Sequence, residues 1–236
     1  MAMLTVVDDE AALARAGADR FTEIVSEAVR ARGQAIISLT GGSTPRRMYD
    51  ALARDPERVP WNDVHLFWGD ERHVPPGHQD SNYGMALESL IAHVPIPAAQ
   101  VHRMRGEWPA EEAAREYERE LRGTFDLMLL GLGDDAHIAS IFPNSPVLEE
   151  RSRLVAAPWA PHLGAFRITL TPPALLDSRR ILMLVSGENK AGAVAAAIEG
   201  PDDVRRWPAQ LLRPAGDLVE WLIDRAAARG LASRRA

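Results

Sequence analysis

The 236-residue sequence contains no cysteine and a single lysine, and aromatic residues make up 6% of it. Without cysteine there is no disulfide framework, no thiolate nucleophile and no Cys-ligated metal. No apolar run approaches the ~20 residues of a membrane span. The segment from Met1 to Glu10 is acidic and lacks the basic and apolar regions of a signal peptide. A cytoplasmic location is the expectation. Net positive charge is also missing: the balance is −6 at pH 7, which argues against nucleic acid as the partner. A small anion needs only a local basic cup, and that remains open.

What is present is an ordinary globular composition, 46% hydrophobic and 25% charged, in a chain long enough for one α/β domain over residues 1–236. Apolar, β-rich runs occur at Ala35–Leu39, Val64–Trp68, Leu127–Leu130 and Ile181–Val185, with weaker ones at Leu4–Val7, Leu154–Ala157 and Phe166–Leu170. Helical patterns lie between them, at 10–32, 45–54, 83–93, 109–122, 189–199 and 216–228. In the first, Leu13, Phe21, Ile24, Val25, Ala28 and Val29 form an apolar stripe opposite charged residues. Continuous apolar strands alternating with such helices imply an α/β, Rossmann-like domain. Its sheet is expected to be mainly parallel, with helices on both faces.

In sheets of this kind ligands bind beyond the carboxyl ends of the strands. There the sequence turns polar and Gly-rich: Thr40-Gly41-Gly42-Ser43-Thr44-Pro45, Gly69-Asp70-Glu71-Arg72, Gly131-Leu132-Gly133-Asp134-Asp135-Ala136-His137 and Ser186-Gly187-Glu188-Asn189-Lys190. The first has the makings of an anion cradle. Gly41 and Gly42 allow close backbone approach, Ser43 and Thr44 bring hydroxyls, and Pro45 suits a first helical turn. Its spacing is neither a P-loop nor a dinucleotide fingerprint. Asp70 beside Arg72 could steer that guanidinium toward an anion; alone, the segment reads better as a solvated charged turn. His137 follows a Gly-rich loop and precedes a short apolar stretch, Ile138–Phe142, expected to be a helical turn whose N-terminus would keep the imidazole neutral. Asp134 and Asp135 could orient His137 or hold substrate. As metal ligands, Asp134, Asp135 and His137 lack a clear fourth member. Lys190, where every other basic residue is Arg, suits a phosphate as a compact charge. The other histidines (His65, His73, His78, His93, His102 and His162) show no ligand spacing and read as surface or loop residues.

In this order the motifs resemble the 6-phosphogluconolactonase family. The likeness runs from Leu39–Pro45 through Asp70-Glu71-Arg72, Asp80-Ser81-Asn82-Tyr83, Gly131–His137 with Ala139–Pro143, and Arg167-Ile168-Thr169 to Gly187–Lys190. The resemblance implies hydrolysis of 6-phospho-D-glucono-1,5-lactone in the pentose phosphate pathway, with no cofactor and no metal. The only partner it implies is the small sugar-phosphate lactone, and oligomeric state is left open. It implies His137 as base, Asp70 and Arg72 in the catalytic group, and Gly41, Gly42, Ser43, Thr44, Arg167 and Lys190 around the phosphate. The family has Gly where this chain has Ala136; if that position needs φ > 0, Ala costs ~1–2 kcal/mol. Glucosamine-6-phosphate deaminases share the outline, but Arg72 stands in place of their Tyr, and Phe142 in place of their catalytic Glu. A sugar-phosphate-sensing regulator would carry a basic helix-turn-helix extension, for which the chain has no room.

Overall fold

The computed structural model describes residues 2–232; residue 1 and residues 233–236 of the expected 1–236 domain lie outside it. In chain order the elements are β1 (Met3–Val7), α1 (Glu10–Arg32), β2 (Ala35–Leu39), α2 (Ser43–Ala53), β3 (Val64–Trp68), β4 (Asp70–Arg72), α3 (Asn82–Ser89) and α4 (Ala110–Glu120). They continue as β5 (Leu127–Leu130), β6 (Val155–Ala156), β7 (Trp159–Ala160), β8 (Ala165–Leu170), α5 (Pro172–Leu176), β9 (Ile181–Val185), α6 (Ala191–Ile198) and β10 (Val219–Asp224).

Six strands form a parallel sheet in the order β1-β10-β9-β5-β2-β3. Side-chain alternation sends one set of residues to each face. Ile37, Leu39, Leu127, Leu129, Leu182, Leu184 and Leu222 pack with α1 and α2 residues such as Phe21, Val25, Met48 and Tyr49. Met128, Leu130, Met183, Val185, Trp221 and Ile223 pack on the other side with Tyr117 of α4 and Val194 of α6. The strands are therefore apolar on both faces, as the unbroken runs imply. From β2 the chain moves outward to β3, then returns across β2 to lay down β5 on the opposite side. The carboxyl ends of β2 and β5 thus flank the point where strand order reverses, and a crevice opens there.

A smaller antiparallel sheet, β4-β8-β6, stands beside this crevice, with β7 pairing on β8. Asp70 lies opposite Thr169 and Arg72 opposite Arg167, while Glu71 lies opposite Ile168. The pleat turns Glu71 and Ile168 inward, and both are buried. Asp70, Arg72 and Arg167 line the crevice.

Two expectations fail. The 216–228 helix is absent: residues 219–224 form β10, inserted between β1 and β9. Val219, Trp221, Leu222 and Ile223 are too continuously apolar for one helix face, and they are buried between both layers. Ile138–Phe142 is not a helical turn either. Ile138 and Ile141 bridge antiparallel around a tight reversal with Ala139 at φ 48°.

Candidate active site

The four polar strand ends meet in one cavity of about 690 Å³. Thr40–Pro45 comes from β2, Asp70 and Arg72 from β4, Gly131–Asp135 and His137 from the turn after β5, Arg167 from β8, and Ser186 and Lys190 from beyond β9. Every site residue singled out from the sequence lines it.

Tyr49 of α2 holds the cradle in place. It is buried, and its hydroxyl accepts from the Thr40 N–H at 3.0 Å and donates to the Thr40 carbonyl at 2.8 Å. Gly42 adopts φ 110°, and no side chain caps the start of α2. The Ser43 and Thr44 N–H groups, together with the helix dipole, are therefore available to an anion. Gly41 is required for a different reason: a Cβ there would fall 1.8 Å from Asn82 Oδ1.

His137 Nδ1 lies 2.6 Å from Asp135 Oδ1, and the same oxygen accepts from the His137 backbone N–H at 3.2 Å. Asp135, rather than Asp134, orients the imidazole. Burial pushes the Asp135 carboxyl up, but the hydrogen bond and charge of His137 outweigh it and the net direction is down. A carboxylate, not a helix end, therefore sets the His137 environment. Gly133 leaves room for the pair, since a Cβ there would sit 2.0 Å from Nδ1. Ala136 has φ 60° and is buried. The left-handed conformation costs ~1–2 kcal/mol, partly offset by roughly 0.8 kcal/mol from burying its methyl.

Asp70 does not steer Arg72. Its buried carboxylate accepts from Ser140 Oγ at 2.6 Å and from Asn82 Nδ2 at 3.2 Å. The Ser140 N–H donates to Thr169 Oγ1 at 3.1 Å. Ser140, just beyond the His137 turn, is thereby docked on a cross-strand pair of the small sheet. Arg72 Nη1 instead donates to the Asp80 carbonyl. Glu71 is no solvated rim charge: its carboxylate takes the N–H groups of Arg72, Asn82 and Tyr83 and the Ser81 hydroxyl. Burial nevertheless raises its carboxyl above the ordinary range.

The two arginines of the small sheet are an opposed like-charge pair, which is unfavourable unless an anion lies between them. Burial first, then the Arg72 charge, lowers Arg167 from its usual value. Across the cavity, Lys190 ends the short turn before α6, and its ammonium pairs with Asp134. That hydrogen bond is the main cause of the downward shift at Asp134. Buried Asp224, at the end of β10, accepts from Ser186 Oγ at 2.6 Å and from the Gly187 N–H at 3.1 Å. It thereby fixes the turn that carries Lys190. Asn82, Ser140, Phe142, His162 and Ser186 also line the cavity and were not assigned to it from the sequence. Asn82 and Phe142 stood inside quoted motifs, whereas the placement of His162 left no sequence signal.

Residues 8–221 match the model of the family described as glucosamine-6-phosphate isomerases/6-phosphogluconolactonase. The chain belongs to that family. It is 38% identical to the 6-phosphogluconolactonase of Synechocystis sp., over 89% of this chain and 90% of the relative. It is 40% identical to that of Mycobacterium tuberculosis, over 98% of both chains. Among solved structures, the 6-phosphogluconolactonase of Trypanosoma brucei superposes with a TM-score of 0.86 at 28% identity, over 98% of this chain and 99% of that one. The family description covers isomerases as well as lactonases.

Proposed function

We propose that the protein hydrolyses 6-phospho-D-glucono-1,5-lactone to 6-phospho-D-gluconate, the lactone step of the oxidative pentose phosphate pathway. The observation that carries this reading is the Asp135–His137 pair, set at 2.6 Å in a cavity that Arg72, Arg167 and Lys190 also line. With Nδ1–H donated to Asp135, Nε2 is left as an acceptor. It takes a proton from water as the oxygen attacks C1. The tetrahedral oxyanion then collapses, the bond from C1 to the ring oxygen breaks, and His137 returns its proton to that oxygen as it becomes a hydroxyl. The carboxylic acid product ionises in solvent. A lactone is already an activated ester, so no covalent intermediate is needed.

The phosphate is held by Gly41, Gly42, Ser43 and Thr44 at the start of α2, with Lys190 and Arg167 as its charged partners. Arg72 positions the substrate and stabilises charge on the carbonyl oxygen. Asp70 supports the catalytic turn through Ser140, and Asp134 aligns Lys190. The reading treats the chain as one working unit, because both sheets supply residues to the cavity.

The test is a coupled assay on freshly generated lactone, corrected for spontaneous hydrolysis, with glucosamine 6-phosphate run alongside under ammonia detection. Acceleration of lactone loss without ammonia release is expected. Ammonia release, or lactone loss at the spontaneous rate, overturns the reading.

A further inference from the structure

The β7–β8 hairpin is attached at its base and carries His162 at its tip. Trp159 and Phe166 meet edge to face at 5.0 Å, and Phe166 packs in turn on His73 at 6.0 Å. The Arg167 N–H donates to the Pro158 carbonyl at 3.0 Å, ahead of β7. At the tip, Leu163 and Gly164 donate their N–H groups back to Ala160 and Pro161, and Gly164 takes φ 58°, a conformation suited to glycine. These bonds hold residues 161–164 over the cavity, which His162 and Leu163 line.

The His162 ring stands edge-on to Phe142 at 4.6 Å, and Phe142 tilts against His137 at 4.5 Å. Phe142 is therefore an apolar part of the cavity lining in contact with both the oriented base and His162. Aromatic faces are electron-rich and attract the weakly positive C–H groups of a sugar ring. Once a ring lies on such a face, its hydroxyls project from the edge. Neither nitrogen of His162 has a hydrogen-bond or ion-pair partner among the described residues, whereas other polar side chains of the site are held: Asp135 by His137, Lys190 by Asp134, Arg72 by the Asp80 carbonyl. An imidazole with one donor and one acceptor matches a hydroxyl in either sense.

We infer that His162 is a specificity-determining, substrate-binding residue that hydrogen-bonds the hydroxyls of a sugar ring resting against Phe142. The inference rests on the lactonase reading for the identity of that ring. It assigns His162 to binding and leaves the proton transfers to His137. Loss of the imidazole therefore weakens affinity and leaves turnover of the bound complex nearly intact.

The experiment measures kcat and KM on the phosphorylated lactone for wild type, His162→Ala and His162→Gln. Calorimetric affinities for 6-phosphogluconate and for inorganic phosphate are measured on the same three proteins. His162→Ala is expected to raise KM and weaken 6-phosphogluconate binding by about three- to tenfold, the range of one net hydrogen bond. Phosphate binding should not change, and His162→Gln should recover part of the loss. Unchanged 6-phosphogluconate affinity in His162→Ala overturns the inference. A parallel loss for inorganic phosphate also overturns it, by moving the contact to the phosphate. Product binding that depends on His162 in a protein without lactonase activity would sink the activity reading alone. Lactonase activity indifferent to His162 would sink only this inference.

Discussion

Asp135 accepts from both the ring and the backbone nitrogen of His137, so the two residues act as a unit and their variants should not be equivalent. His137→Ala removes the base itself. It should lower kcat by ~10²–10⁴-fold with a smaller change in KM, because a general base acts mainly in the transition state. Asp135→Asn leaves the imidazole but frees its tautomer, so a smaller fall in kcat is expected. Steady-state kinetics on the lactone decide this, and near-wild-type turnover in folded His137→Ala would remove it from the mechanism. Lys190 is a different case, since its charge is already paired with Asp134. Lys190→Ala should raise KM by roughly one to two decades, the size of a lost charge-assisted contact. Lys190→Arg should rescue only part, because a planar guanidinium neither meets the phosphate nor pairs with Asp134 as a compact ammonium does. Comparison with unphosphorylated gluconolactone separates phosphate recognition from a folding defect, which would weaken both substrates equally.

At the scale of elements, the four strand ends and the order of layers were legible because their signals are local. An apolar run that stops at Gly-rich polar residues marks a strand ending at a site, and the structure brings all four ends together. Two elements were illegible for definite reasons. Residues 219–224 contain Glu220 and Asp224, whose charges interrupt the apolar run and mask the strand. Glu220 in fact pairs with Arg20 at 2.7 Å, and Asp224 anchors the Ser186–Gly187 turn. Reading the strand as a helix concealed Asp224 as a site support. The 138–142 segment looked helical, yet Ser140 is committed to Thr169 and Asp70, partners 29 and 70 positions away. No local pattern encodes such bonds. They carry a prediction of their own: Asp70→Asn and Ser140→Ala should both lower kcat by disturbing the His137 turn, with KM little changed. If Asp70 instead served Arg72, Ser140→Ala would be silent while Asp70→Asn was not. Kinetics of the two variants, with thermal melts to confirm folding, distinguish these cases.

For the molecule as a whole, acid stability should depend on a pair of histidines remote from the cavity. His65 of β3 and His102, which follows the residue bridging to Leu66, lie with Nδ1 and Nε2 3.0 Å apart. Their rings stack, and His102 also stacks on Phe67 at 4.4 Å. One ring must donate and the other accept, so the arrangement has no place for two imidazolium ions. Burial, then His65, then Arg122 push His102 down from 6.5 to about 4, and burial with Arg122 lowers His65 as well. Glu120 lies 3.7 Å from His102, beyond hydrogen-bond reach, and does not reverse that direction. The sign follows from proton binding. Between pH 6.5 and about 4 the unfolded chain holds the proton that folded His102 refuses, so stability falls as pH falls through that window. Above it both states are neutral and the term vanishes. His102→Gln cannot be protonated and keeps a polar partner for His65. It should therefore be no more stable than wild type at pH 7.5, yet lose less stability between pH 7 and 5, with a residual slope from His65. Urea unfolding at several pH values checks this. Parallel stability profiles for wild type and variant would show that the pair contributes nothing to acid sensitivity.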